Sequence, residues 1–264
     1  MQEFSLSSEL VAALSGRREP WLERLLRKVE AVNARYALFG PDDAVLVGLS
    51  GGKDSLALLV LLTILRRKRR QLYACLVENE RVPMPLEARS RLSDFCNALG
   101  LPFSVRSIEI DVAQGCFSCA KARRRALAEE AQALQISRIA LGHTLTDSAH
   151  TALMNLAHKG SLEGLEPVRW YFDGAFAIVR PLLFCSENDV RRIVRRLSLP
   201  VQPASCPLGG TTARTEAAVA LEHMLRIDRD AALHIADAAL RQEQAHDTEF
   251  EAGRTQVGEP ASRY

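Results

Sequence analysis

Val45-Leu46-Val47-Gly48-Leu49-Ser50-Gly51-Gly52-Lys53-Asp54-Ser55 is the stretch that decides how this chain folds. With Ala44 just before it, the stretch opens on a short apolar run to Val47 that is rich in β-branched side chains, as a buried strand requires. Ser50-Gly51-Gly52 is a glycine turn, and Asp54-Ser55 is expected to cap a helix that runs to about Arg69. The order is strand, glycine loop, helix. Two glycines let the backbone approach an anion closely, and the loop amides and helix N-terminus then face it with a favourable dipole. Lys53 adds a cation. The loop is not a Walker A sequence, because Asp54 stands where that pattern needs Ser or Thr after Gly-Lys. It also lacks the third glycine of a dinucleotide fingerprint.

The alternation continues on both sides of the loop. Residues 8–39 read as helix with a break at Glu19-Pro20. Downstream, strands are expected at 72–77, 103–110, 136–141 and 176–179, and helices at 85–99, 119–134, 146–158 and 186–197. This pattern predicts an α/β fold, a parallel sheet with helices on both faces and helical additions at both ends. Ligands of such sheets sit at the carboxyl ends of strands. Those ends carry Ser50 to Lys53, Gly142-His143 and the segment leading to Cys116. Residues 216–243 again read as helix, and 248–264 as a frayed polar tail. The expected organisation is an N-terminal helical segment (1–40), a main α/β domain carrying the glycine loop (41–215) and a C-terminal helical segment with its tail (216–264).

The chain has 264 residues, of which 47% are hydrophobic and 25% charged, enough for a sizeable core and too apolar for wholesale disorder. No apolar run approaches the roughly 18 residues of a membrane span, so no membrane partner is expected. The opening Met1-Gln2-Glu3-Phe4-Ser5 is polar and acidic, which does not fit a secretory signal, and a cytoplasmic location is expected. The net charge of +2, from 34 basic and 32 acidic residues, does not mark a nucleic-acid binder by bulk charge. Three basic clusters stand out instead, at Arg66–Arg70, Lys121–Arg125 and Arg191–Arg196. Each alone reads as a solvated helix face.

There are six cysteines. A reduced compartment argues against a disulfide framework. Cys75 and Cys96 sit in apolar patterns and read as small core residues. Cys116-Phe117-Ser118-Cys119 lies just before an expected helix, so both thiols can reach one metal. Zinc, a redox pair and an iron–sulfur cluster all fit such a pair. Cys206, far along the chain, would make three thiolates. Three suggest a cluster with one open iron, whereas a structural zinc needs a fourth ligand, for which His143 and Cys185 are candidates. His143 otherwise reads as a capping residue at a helix start.

Ser50-Gly51-Gly52-Lys53-Asp54-Ser55 resembles the PP-loop of the ATP pyrophosphatase superfamily. Within it, the chain is similar to the tRNA 2-thiocytidine synthetase family. The further stretches that carry this are Cys116-x-x-Cys119 with Arg123-Arg124, and Ile139-Ala140-Leu141-Gly142-His143 with Asp147, Thr151 and Asn155. Val179-Arg180-Pro181-Leu182 with Cys185, Glu187 and Asp189, and Leu199-Pro200-Val201 leading to Cys206, complete them. Where that family reads His-His-Arg-Asp-Asp, this chain reads His143-Thr144-Leu145-Thr146-Asp147. Its last cysteine stands alone in Cys206-Pro207-Leu208 with Arg214 downstream, closer to the related 2-thiouridine thiolases.

The resemblance implies an ATP-dependent tRNA thiolase. ATP would adenylate the C2 oxygen of a nucleobase, giving 2-thiocytidine after sulfur replaces AMP. Ser50, Gly51, Gly52 and Ser55 would hold the phosphates, Lys53 their charge and Asp54 a Mg2+ ion. Gly142 and His143 would contact ATP or substrate, and Asp147 would assist metal or substrate. Cys116, Cys119 and Cys206 would hold a 4Fe-4S cluster. Implied partners are tRNA, a sulfur donor such as a cysteine desulfurase, and a second copy in a homodimer. The rival readings are another PP-loop adenylating ligase, forming 2-thiouridine or transferring an amine, and a non-catalytic nucleotide- or RNA-binding protein.

Overall fold

The computed structural model describes residues 4–66, 71–202 and 213–242. The helix expected to run to about Arg69 ends at Leu65, with Arg66 as its C-cap, and the 248–264 tail and Cys206 lie outside these residues. Six strands form one sheet in the order β3-β2-β1-β4-β6-β5. They are β1 (Val45–Leu49), β2 (Leu72–Asn79), β3 (Phe103–Ile108), β4 (Arg138–Ala140), β5 (Val168–Tyr171) and β6 (Phe176–Val179). β1 runs parallel to β2 and β4, with Val45 opposite Leu72 on one side and Arg138 on the other. β3 and β6 extend the parallel set. β5 is the exception, an antiparallel edge strand hairpinned to β6. The sequence pattern does not announce it. Arg169 and Trp170 are exposed, so the strand has no clean inward face.

The helices of the main layer are α1 (Ser8–Leu14), α2 (Pro20–Tyr36), α3 (Lys53–Leu65), α4 (Leu86–Ala98), α5 (Gly115–Ala133) and α7 (Glu187–Arg196). Between the last two lies α6 (Leu145–Lys159). The long helix read over 8–39 is two helices, with Pro20 at the first position of α2. α3 is apolar on every side, and each residue from Leu56 to Ile64 is buried. Such a helix must be covered all round. Side chains of α1, α2, α4 and α7 join it and one face of β1 in a single core. The opposite face of the sheet packs on α5 through Leu46, Cys75, Val77 and Ile139 against Ala126, Leu127 and Ala131. Helices therefore cover both faces, as the alternation predicts.

Two compact units emerge from the contacts. The first comprises residues 1–145 and 167–212, and the second 146–166 with 213 onward. In the second unit, α8 (Ala213–Ile227) ends before a turn at 228–230, and residues 231–242 are again helical. The continuous helix expected over 216–243 is thus interrupted. Asp228-Arg229-Asp230 is the polar break. Within this unit Gly164 lies so close to α6 that a Cβ there would fall 2.9 Å from Ser148 Oγ.

The chain leaves β1 toward β2 and leaves β4 toward β6, so the strand order reverses between β1 and β4. A crevice opens at the carboxyl ends of two such strands. Its two lips nearly touch. A Cβ on Gly142, just past β4, would lie 2.8 Å from the Asp54 carbonyl carbon and 2.9 Å from the Ser55 nitrogen. These are backbone atoms of the first turn of α3, which cannot swing aside. Gly142→Ala should therefore destabilise the protein by about 1–3 kcal/mol, the usual cost of overpacking. A urea denaturation midpoint lower than that of the wild type checks this, and an unchanged midpoint contradicts it.

Candidate active site

The loop after β1 is held open by its own hydroxyls. Ser55 Oγ donates to the Gly52 carbonyl at 3.0 Å and accepts from the Ser50 amide at 3.2 Å. Ser50 Oγ lies 3.2 Å from Ser55 Oγ and accepts from the Gly52 amide at 3.3 Å. Gly51 has a φ of +75°, and a Cβ there would sit 2.9 Å from Met84 Cε. Its carbonyl accepts from the Gln202 amide at 2.9 Å. The positive φ of the turn is what demands glycine, since Met84 Cε is the tip of a flexible side chain that can shift.

The start of α3 differs from the sequence reading. Asp54 and Ser55 do not cap it. The N-cap is Gly52, and no side chain bonds the end of the helix. Asp54 is the second residue of the helix and projects beside Lys53 instead. The reason is the loop itself, because Ser55 Oγ turns back to the Gly52 carbonyl and Asp54 binds a cation. No side-chain cap thus occupies the start of α3, the end of a helix that attracts an anion.

Charge alternates around this loop. Lys53 Nζ lies 3.0 and 2.9 Å from the two Asp54 oxygens and 3.2 Å from Glu187 Oε1. Glu187 in turn accepts from Arg191 Nε at 3.2 Å. Burial pulls the Lys53 pKa down, but the hydrogen bond and charge of Asp54, then those of Glu187, outweigh it and raise the value. The contribution of these pairs to stability is present below the ordinary lysine value of 10.5 and is lost as pH rises through the higher folded value. Glu187 stands at the first position of α7, behind the Ser186–Asp189 capping box. Its sequence signal was its place in the motif after Arg180-Pro181-Leu182. Nothing in the spacing tied it to Lys53, because the two lie 134 positions apart in the chain.

Across the crevice, Arg180 Nε donates to His143 Nδ1 at 3.2 Å. Arg180 is buried. His143 Nδ1 is therefore an acceptor, which leaves the ring proton on Nε2. Asp147 belongs to the second unit, where Arg214 pairs with it.

The cysteines sort by environment. Helix α5 begins at Gly115, not at Cys119, after a 3-10 turn at Val112–Gln114. Cys116 and Cys119 therefore share its first turn, three residues apart and on one face. Cys116 is exposed and Cys119 half-buried, and neither is in a disulfide. The other described thiols are sealed in the core. Burial pushes Cys75 up to about 11, and Cys96 and Cys185 each up to about 12. Cys185 packs in the core cluster of α3 and α7 and is not placed to close a zinc site. Among the described residues, no three His, Cys, Asp or Glu side chains gather as a metal site. α5 follows β3, and α3 follows β1, so both helix starts lie at the same edge of the parallel strands.

The PP-loop domain profile matches residues 23–200. The chain belongs to the PP-loop domain family. Among its relatives is the tRNA-cytidine(32) 2-sulfurtransferase of Xanthomonas euvesicatoria pv. vesicatoria, 34% identical over 198 residues, 72% of this chain and 64% of that protein. The protein of the same name from Nitrosospira multiformis is 31% identical over 218 residues, 78% of this chain and 72% of the relative. The chain thus spans a little under two thirds of the Xanthomonas relative's length. The PP-loop fold recurs in the U34-tRNA thiolase NcsA from Methanococcus maripaludis, solved with its [4Fe-4S] cluster. The TM-score is 0.71 at 21% identity, covering 84% of this chain and 78% of that one.

This PP-loop geometry makes two outcomes testable. Glu187→Gln removes one of two carboxylates from Lys53, so the Lys53 pKa should fall. Amine labelling against pH, read by mass spectrometry, should then show its midpoint at lower pH than in the wild type. In the folded protein, a maleimide should label Cys116 and Cys119 while Cys75, Cys96 and Cys185 react only after denaturation. Labelling of Cys185 in the folded state would contradict its burial.

Proposed function

We propose that this chain is an ATP-dependent tRNA sulfurtransferase that converts a cytidine of the anticodon loop to 2-thiocytidine. The reading rests on family membership and on one observation in particular. The described thiols that solvent reaches are the pair on the first turn of α5, at the sheet edge that also carries the PP-loop. The relatives at 31–34% identity, named for sulfur transfer to cytidine 32 of tRNA, support it.

In this reading the amides of Gly51 and the first turn of α3 receive the pyrophosphate of ATP, the Gly52 amide exchanges its bond to Ser50 Oγ for a phosphate oxygen, and the Ser50 and Ser55 hydroxyls lie beside them. Lys53 leaves its carboxylates for the phosphates. Asp54 holds Mg2+, since an ionised carboxylate and phosphate oxygens are the donors this ion takes. Gly142 and His143 bound the opposite lip, and Asp147 assists metal or substrate. The base's C2 oxygen attacks the α-phosphorus, and pyrophosphate leaves. An amide-like oxygen is a poor leaving group, and adenylation turns it into part of AMP. Lys53 and the loop amides stabilise the charge that gathers on the departing pyrophosphate.

Cys116 and Cys119 suit a 4Fe-4S cluster, because free thiols one helical turn apart can reach one metal group. Cys206 is the third ligand in this reading. When bound, such a cluster with one iron free of protein ligands supplies the sulfur that displaces AMP. A cysteine desulfurase is the class of donor that would replenish that sulfur.

Anaerobic purification with iron, sulfide and zinc analysis tests the proposal on wild type and Cys206→Ala. The expected result is about four irons and four sulfides per chain, lost in the variant. ATP-dependent pyrophosphate release with tRNA, and 2-thiocytidine in its nucleoside digest, should accompany the loaded protein. Stoichiometric zinc without sulfide after cluster reconstitution would overturn the cluster chemistry.

A further inference from the structure

Helices α2 and α7 lie side by side in the first unit, and a cleft of about 170 Å³ opens between them. Trp21, Arg24, Leu25, Lys28, Asp189 and Arg192 line it. Three cations thus face one carboxylate. That carboxylate is already engaged: Asp189 Oδ2 accepts from the Ser186 amide at 2.9 Å and from Lys28 Nζ at 3.2 Å. The Arg192 guanidinium lies 5.0 Å from the centre of the Trp21 ring, so the indole fixes it without neutralising it. Arg27 and Arg195 flank the cleft at helical spacing. Among the described residues, no acidic side chain pairs with Arg24, Arg27 or Arg195.

We propose that this cleft seats a phosphate of an RNA strand and that α7 leads the strand toward the PP-loop. The inference rests on the tRNA reading above and adds the surface that would grip the RNA. Continuity with the site supports it. Glu187, at the start of α7, contacts Lys53 of the loop. α7 has ten residues, so its arginines lie within about 15 Å of that contact along the helix axis. Composition separates RNA from the other anionic partners. Among the described residues, neither α2 nor α7 exposes a large apolar side chain. A protein interface core needs such anchors, and so does a helix lying in a membrane surface. A polyanion needs only the cations.

The test is tRNA binding by the full-length protein across a salt series, comparing wild type with Arg24→Glu/Arg192→Glu. Arg24→Glu/Arg195→Glu serves as a second variant that spares the arginine over Trp21. Arg226→Glu/Arg229→Glu, on exposed residues of the second unit, makes the same charge change elsewhere. The expected result is an affinity loss of about tenfold or more in the two cleft variants. The slope of log affinity against log salt should flatten by about 1.5, the share of two lost phosphate contacts. ATP affinity and thermal midpoint should stay at wild-type values, and Arg24→Lys/Arg192→Lys should restore most of the binding. Cleft variants that bind tRNA like the wild type, or no worse than the second-unit control, would overturn the proposal and leave the thiolase reading standing. A wild type that binds no tRNA but binds an acidic protein or anionic vesicles would overturn both.

Discussion

α3 has no polar face, and the rest of the architecture answers that fact. A helix buried from Leu56 to Ile64 cannot end a sheet layer against water. The sheet covers one side of it, and α1, α2 and α7 cover the remainder. The N-terminal helices are therefore part of the core and not an appendage to it. The same burial fixes the helix axis, and with it the aim of the first turn of α3. A phosphate site made of backbone donors needs such a rigid mount, because its geometry cannot be repaired by side-chain rotation.

The charges around the loop form a balanced chain: Arg191, Glu187, Lys53 and Asp54 alternate in sign. Balance keeps Lys53 ionised and in place, although half-burial alone would favour its neutral form. It also means that an incoming phosphate exchanges partners with carboxylates and does not meet a bare cation. Exchange of this kind costs less than exposing an unpaired ammonium in a half-buried site.

The sequence revealed most where chemistry and local backbone coincide. The glycine loop, its strand and its helix follow from residues next to one another, and the parallel sheet follows from the alternation around them. The sorting of the cysteines was half legible: Cys75 and Cys96 sit in apolar patterns, but the burial of Cys185 depends on α7 folding over α3. The pairing of Glu187 with Lys53 was hidden, because it joins residues far apart in the chain. The start of α3 was misread at Asp54 for a related reason. A residue that is a good cap by type was already committed to a cation beside it. β5 escaped because an edge strand with exposed Arg169 and Trp170 carries no hydrophobic alternation. The split of the chain into two units was equally invisible, since residues 146–166 join a partner segment that begins only at 213.

The contact of Gly142 with the Asp54 and Ser55 backbone joins main chain to main chain across the switch point. The width of the crevice is set there without help from any variable side chain. This separates two demands on the segment after β4. One glycine holds the spacing, and the side chains beyond it do not set it. His143-Thr144-Leu145-Thr146 can thus replace a run richer in His, Arg and Asp while the ATP lip stays where it is. A hydrogen atom in place of a side chain is thus the gauge of the crevice, and the side chains from His143 onward take no part in setting it.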